Sequence, residues 1–191
     1  MDYTRNEDKL CNQGLSTLQQ SRLIDLDIEE ADGITEPVTV TEVKNHLRIT
    51  FTDDDSYLEM LIISARKALE TYTALSFVAK TIRFIAEQVL PMELPYGPVK
   101  EIISVKNKEE DLITGYKTKD IKFLSVDLSG YIDVSYTAGY EEDKLPADLK
   151  LALLEEISWR YENRGDNNGK SGISNIAKSY AKPHRRVPKV L

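Results

Sequence analysis

Two switches of hydrophobic period constrain this chain more than any other feature. Leu58, Leu61, Ile62, Ala65, Leu69 and Tyr72 recur at spacings of three and four. That spacing is the buried stripe of an amphipathic helix. From Phe77 to Val89 the period drops to two, with Ile82, Phe84 and Ala86 alternating against Arg83, Ile85 and Glu87. Such alternation is the mark of a half-buried strand. The helical period returns in Leu149, Leu153, Ile157 and Tyr161. The order predicts an α+β domain, mainly α. A long helix over residues 53–72 and a C-terminal helix over 146–163 enclose a small antiparallel β-sheet or hairpin.

Local signals fill in this outline. Thr39 is followed three residues later by Glu42, a capping-box pattern, and Val40, Val43 and Leu47 then mark one face of a short helix. Three prolines and a glycine between Leu90 and Val99 predict an irregular loop. Further strands are expected at "VKEIISVKN" and "GYIDVSYTAGY". A hairpin is expected across "EEDLITGYKTKDIKFLS", its turn at Gly115 or "KTKD". Pro146 suits the first position of the last helix, where its missing N–H costs nothing, and Asn163 and Gly165 are stop signals.

The ends differ from the middle. Residues 1–33 carry eight acids against three bases, and one loosely periodic helix is expected at Leu15–Ile28. Residues 165–191 carry six bases against Asp166 and are rich in Gly, Ser, Asn and Pro. Three parts follow: an acidic N-terminal extension (1–33), a folded domain (34–165) and a basic flexible C-terminal arm (166–191). Arms of opposite charge each suit a complementary surface.

Few residues invite catalytic chemistry. The consecutive Asp53, Asp54 and Asp55 resemble the donor set of a hard cation. Counted from Asp53 as a calcium loop, position six is Leu58 and position twelve is Ser64, where a glycine and a glutamate are required. Carboxylates also favour the start of a helix, because they oppose its dipole, and Thr52 or Asp53 can cap the first amides. Asp53–Asp55 therefore predict a helix start. His46 and His184 lack partners at ligand spacing, and Cys11 is the only cysteine. Arg164-Gly165-Asp166 is a helix end running into a loop. No glycine-rich phosphate loop and no nucleophile elbow occur. No enzyme activity, cofactor or metal is expected. No run reaches the ~20 apolar residues of a membrane span, and Met1–Leu10 lacks the pattern of a secretory leader.

The blocks "PVTVTEVKNHLRI", "TDDDS" with "YLEMLIISARKALETYT", "LPYGPVKEIISV", "GYIDVSYTAGY" and "LPADLKLALLEEISWRYENRG" occur in this order between Glu36 and Gly165. Together they resemble the head–tail connector (adaptor, head-completion) proteins of tailed bacteriophages and prophages. The family's usual Tyr-Thr-Gly after the long helix reads Tyr72-Thr73-Ala74 here. The resemblance implies a structural virion protein at the neck, made in the bacterial cytoplasm. It implies a homo-oligomeric ring, a dodecamer, between the portal and the stopper or tail-completion proteins, close to DNA in the channel. It also implies a C-terminal arm that docks on the portal, here Lys170, Ile173, Ile176, Lys178, Tyr180, Lys182, Arg185, Arg186, Val187, Val190 and Leu191. The alternative is a DNA-binding regulatory or packaging module that uses the basic arm. Six bases with Tyr180 as the sole aromatic make a weak single-strand binder.

Overall fold

A computed structural model describes residues 22–30, 33–88, 92–119, 123–125, 130–142, 144–164 and 172–186. In chain order these form β1 (Arg22–Glu30), α1 (Val40–Leu47), α2 (Asp55–Thr73), β2 (Lys80–Gln88), β3 (Met92–Glu93), β4 (Val99–Lys106), β5 (Lys117–Lys119), β6 (Phe123–Ser125), β7 (Gly130–Ala138), α3 (Ala147–Glu162) and α4 (Asn175–Ala181), closed by a 3-10 turn at Lys182–His184. The α+β class is as expected. The main sheet is fully antiparallel in the order β1-β2-β7-β4, and β3-β6-β5 form a second, small sheet.

Two apolar clusters hold the chain. The helical cluster joins Leu58, Leu61, Ile62, Ala65 and Leu69 of α2 to Leu149, Ala152, Leu153 and Ile157 of α3. The sheet cluster stacks Ile82, Phe84 and Ala86 against Ile132, Val134 and Tyr136. Both are the residues of the two sequence periods. Each fully buried side chain of Leu or Ile size contributes roughly 1.5–3 kcal/mol of transfer free energy.

The first departure from expectation is β1. Of the helix expected at Leu15–Ile28, residues 15–21 lie outside the described residues, and Arg22–Glu30 is instead an edge strand paired with β2. A bulge between Leu23 and Asp25 breaks the alternation, so that Leu23 and Leu26, three residues apart, both reach the sheet core while Asp25, Asp27 and Glu29 stay exposed. Pairing with β2 outweighed the loose helical spacing.

The helix ends shift slightly. Thr39 and Glu42 form the expected capping box: the Glu42 amide donates to Thr39 Oγ1 at 3.2 Å and the Thr39 amide to Glu42 at 2.8 Å. α2 starts at Asp55 with Asp54 at its N-cap, so neither Thr52 nor Asp53 caps it. Pro146 is the N-cap of α3 rather than its first residue. "KTK" is strand β5, so neither it nor Gly115 makes the hairpin turn, and residues 120–122 lie outside the described residues.

α2 ends on Ala74, which adopts the left-handed conformation at φ 54. A Cβ makes that region unfavourable by roughly 1–2 kcal/mol, and helices usually place glycine there. Ala74→Gly is therefore expected to raise stability by about 0.5–1 kcal/mol, a gain of ~2–4 °C in Tm for a chain of this size. A melt that is unchanged or lower would show that surrounding contacts already relieve the strain.

A buried ion network joins the helices to the sheet. Arg66, fully buried on α2, grips Glu36 with two bonds (2.8 and 2.9 Å), Glu30 of β1 with two (2.9 and 3.2 Å) and Glu70 with one (3.1 Å). Lys80 at the start of β2 donates to Glu70 at 2.7 Å and lies 3.4 Å from Glu30. Glu70 also accepts the Phe77 amide at 2.7 Å. Every charge in it has a partner, as burial demands.

The hydrogen bonds from Arg66 hold the Glu30 carboxyl down at about 2, against the opposing effect of burial. A carboxyl depressed in the folded state stabilises above its unfolded value of 4.5, and that stabilisation is lost as pH falls from 4.5 towards 2. Hydrogen exchange of β1 amides is thus expected to lose protection across that window before the amides of β7 do. Equal protection of both strands down to pH 2 would contradict it.

Candidate partner-binding surface

The C-terminal arm was expected to be a flexible tail. Its residues 172–186 are instead folded back on the chain's own helical layer. Ser174 caps α4, accepting the Ala177 amide at 3.2 Å. Ala177 and Ala181 are fully buried, and Ile173 and Tyr180 pack partly against the same cluster. The pattern was legible: Ser174 as cap, then 173, 177, 180 and 181 on one helical face. Two of those four positions are alanines, which score poorly as hydrophobic anchors but permit close approach to α3.

Polar contacts fix the register of this segment. Glu156, fully buried on α3, accepts the Ser174 amide at 2.8 Å and Arg160 Nε at 2.7 Å. Arg160 in turn donates to Ser64 of α2 at 2.5 Å. Glu156→Ala is expected to leave the Ser174 amide without its acceptor, costing about 1–3 kcal/mol, whereas Glu156→Gln keeps one acceptor oxygen and should cost less. Chemical denaturation of the two variants reads the difference.

Beyond α4 the backbone amide of Arg186 donates to Thr73 O at 2.8 Å, and its guanidinium donates to Leu94 O at 3.2 Å. A Cβ at Gly97 would run into that guanidinium, so the glycine makes room for it. Arg185 lies 5.0 Å above the Tyr72 ring. His184 sits 3.5 Å from Asp148.

Of the arm residues expected to meet a partner, Lys170, Val187, Val190 and Leu191 lie outside the described residues. Ile173, Tyr180 and Arg186 are turned to the chain's own core. Ile176, Lys178, Lys182 and Arg185 remain at the surface. Ile176 and Lys178 border a groove of about 660 Å³ between α1, α3 and α4, lined also by Leu47, Arg48 and Trp159.

The acidic turn is a structural clamp. Asp54 accepts a hydrogen bond from the Tyr161 hydroxyl and pairs with Arg164 at 3.3 Å, and Arg164 stacks 4.3 Å from the Tyr161 ring. The bond from Tyr161 keeps the Asp54 carboxyl below its usual range. Asp55 pairs with Lys44 at 2.8 Å. The carboxylates thus point to different cations of the chain itself rather than to one centre. His46 lies 3.7 Å from Glu155.

Residues 37–104 match the family model of the phage gp6-like head-tail connector protein, so the resemblance read from the sequence holds over that stretch. No curated protein matches the chain. Among solved structures, a chain in the neck of an empty gene transfer agent particle, computed with C6 symmetry, is similar at TM-score 0.69 and 21% identity. The match covers 88% of this chain and 98% of that one. A chain in the neck of the native particle, computed with C12 symmetry, gives TM-score 0.66 and 20% identity over 88% and 98%. A chain in the virion of the native particle gives TM-score 0.66 and 20% identity over 86% and 97%.

Proposed function

We propose that this chain is a structural, non-catalytic subunit of the neck of a tailed-phage-like particle. In that role it forms a ring between the portal and the stopper or tail-completion proteins. One coincidence carries this most strongly: the connector family model covers the chain's own α1–α2–β2–β4 segment, while the whole fold matches neck chains across nearly their full length. The C12 and C6 symmetries given for those necks support a ring, and twelve subunits satisfy both.

The portal-facing element is the end of the C-terminal arm. Residues 172–186 anchor it to the helical layer through Ser174, Ala177, Ala181 and Arg186, so that among the described residues of the arm the exposed side of α4 is left for a portal, and the contact is assigned to this side and to residues 187–191. The decisive comparison is full-length protein against protein truncated after Arg186. Truncation is expected to abolish portal binding in a pull-down while the melting temperature stays within a degree or two. Undiminished portal binding by the truncated protein would overturn the docking role.

A further inference from the structure

We propose that neighbouring copies of this chain join edge to edge through their main sheets, β1 of one copy pairing antiparallel with β4 of the next. The interface deepens the ring proposed above and rests on that role. The four strands β1-β2-β7-β4 are all antiparallel, so the two outer strands run in opposite directions. Copies related by rotation about a common axis keep the same orientation. The β4 edge of one therefore meets the β1 edge of the next in antiparallel sense, extending the existing pattern without reversal. An interface between two different surfaces of one subunit is what a closed ring requires.

Both edges are open among the described residues. β1 pairs only with β2. β4 pairs with β7, and its other side is engaged only at its end, where Ile113 donates to Val105 O at 2.8 Å and Leu112 bridges to Lys106. Open edges are normally guarded by charge, proline or bulges; β1 and β4 carry bulges and charges, yet each also presents exposed aliphatics. Ile24 is 48% and Ile28 36% exposed on β1, while Ile103 is 55% and Leu112 68% exposed on or beside β4. Four of the eight exposed large hydrophobics among the described residues thus sit at the two sheet edges. The strands also differ in net charge, β1 bearing Asp25, Asp27, Glu29 and Glu30 against Arg22, and β4 bearing Lys100 and Lys106 against Glu101. Main-chain pairing supplies affinity in strand addition, and the aliphatics and charges supply register. A second copy of this chain is the occupant that offers the complementary edge in the required direction.

The test uses the full chain with Cys11→Ser and one cysteine on each edge, Ile28→Cys and Ile103→Cys, treated with a short bismaleimide, alone at high concentration and mixed with portal. A ladder of covalent multimers in either condition, absent from each single-cysteine protein beyond dimer, is the expected result. No ladder in either condition overturns the interface. A ladder without portal binding would leave the interface standing while the connector role fails. As a second readout, Ile28→Asp and Ile103→Asp are each expected to reduce ring assembly at least tenfold with unchanged melting. Rings formed by both variants at wild-type concentration would also overturn it.

Discussion

Arg66→Ala is expected to be the most destabilising single substitution in the helical layer, costing about 3–5 kcal/mol and lowering Tm by roughly 10 °C. Arg66 is fully buried and makes five hydrogen bonds to three carboxylates. Its removal frees Glu30 and Glu36 to rehydrate at the surface, but Glu70 stays buried with Lys80 as its one cation. The loss also disconnects β1 from α2, because Glu30 is the strand's link to the helix. β1 should therefore lose exchange protection beyond the global change. A drop under ~1 kcal/mol would mean that Lys80 and water can replace the guanidinium. The network's contribution is best described by this asymmetry: a buried ion cluster is weak evidence of net stabilisation, while breaking it is costly.

Removing residues 172–191 is expected to cost about as much, roughly 4 kcal/mol, even though it touches a segment that composition marks as a tail. The deletion uncovers the surface under Ala177 and Ala181, strips the partial cover of Ile173 and Tyr180, and leaves buried Glu156 without the Ser174 amide. It also removes the Arg186 bonds that tie the end of α2 to the loop before β4. Such a deletion would abolish partner binding by loosening the domain as well as by removing contacts, so it cannot report on docking. Ending the chain after Arg186 leaves the anchors intact. The two truncations should therefore separate, the longer one melting at least ~8 °C below the shorter. Equal melting temperatures would show that residues 172–186 do not hold to the domain in solution.

The periodic parts of the fold were legible, and the reasons are particular. Leu58 to Leu69 and Leu149 to Ile157 repeat at helical spacing because their elements bury one stripe each, and all but Leu61 and Ile62 of those stripes are fully buried. Strand β2 was legible because Ile82, Phe84 and Ala86 alternate cleanly. β1 was misread because its eight apolar and acidic positions follow neither period cleanly, and pairing with β2 decided the outcome. α4 was missed because two of its buried positions are alanines and its flanks are glycine and proline. The Arg66 network was not foreseeable: its members lie at 30, 36, 66, 70 and 80, and only the i,i+4 pair Arg66–Glu70 is local. Burial of both side chains makes that pair central. The triple aspartate was read correctly as a helix start, but its side chains clamp α3 and α1 rather than capping α2.

Ala74 joins sequence and family most closely. The connector-like blocks resembled in the sequence would place glycine after Tyr72-Thr73, and the structure places Ala74 in the left-handed region where glycine is favoured.

The central claim is that this chain builds a ring on a portal. Electron microscopy of the purified full-length protein mixed with its cognate portal tests it most directly. The expected result is a second ring of density stacked on one end of the portal, matching it in symmetry, and lost when the chain ends after Arg186. Bare portals beside free protein, at concentrations well above those of assembly, would contradict it.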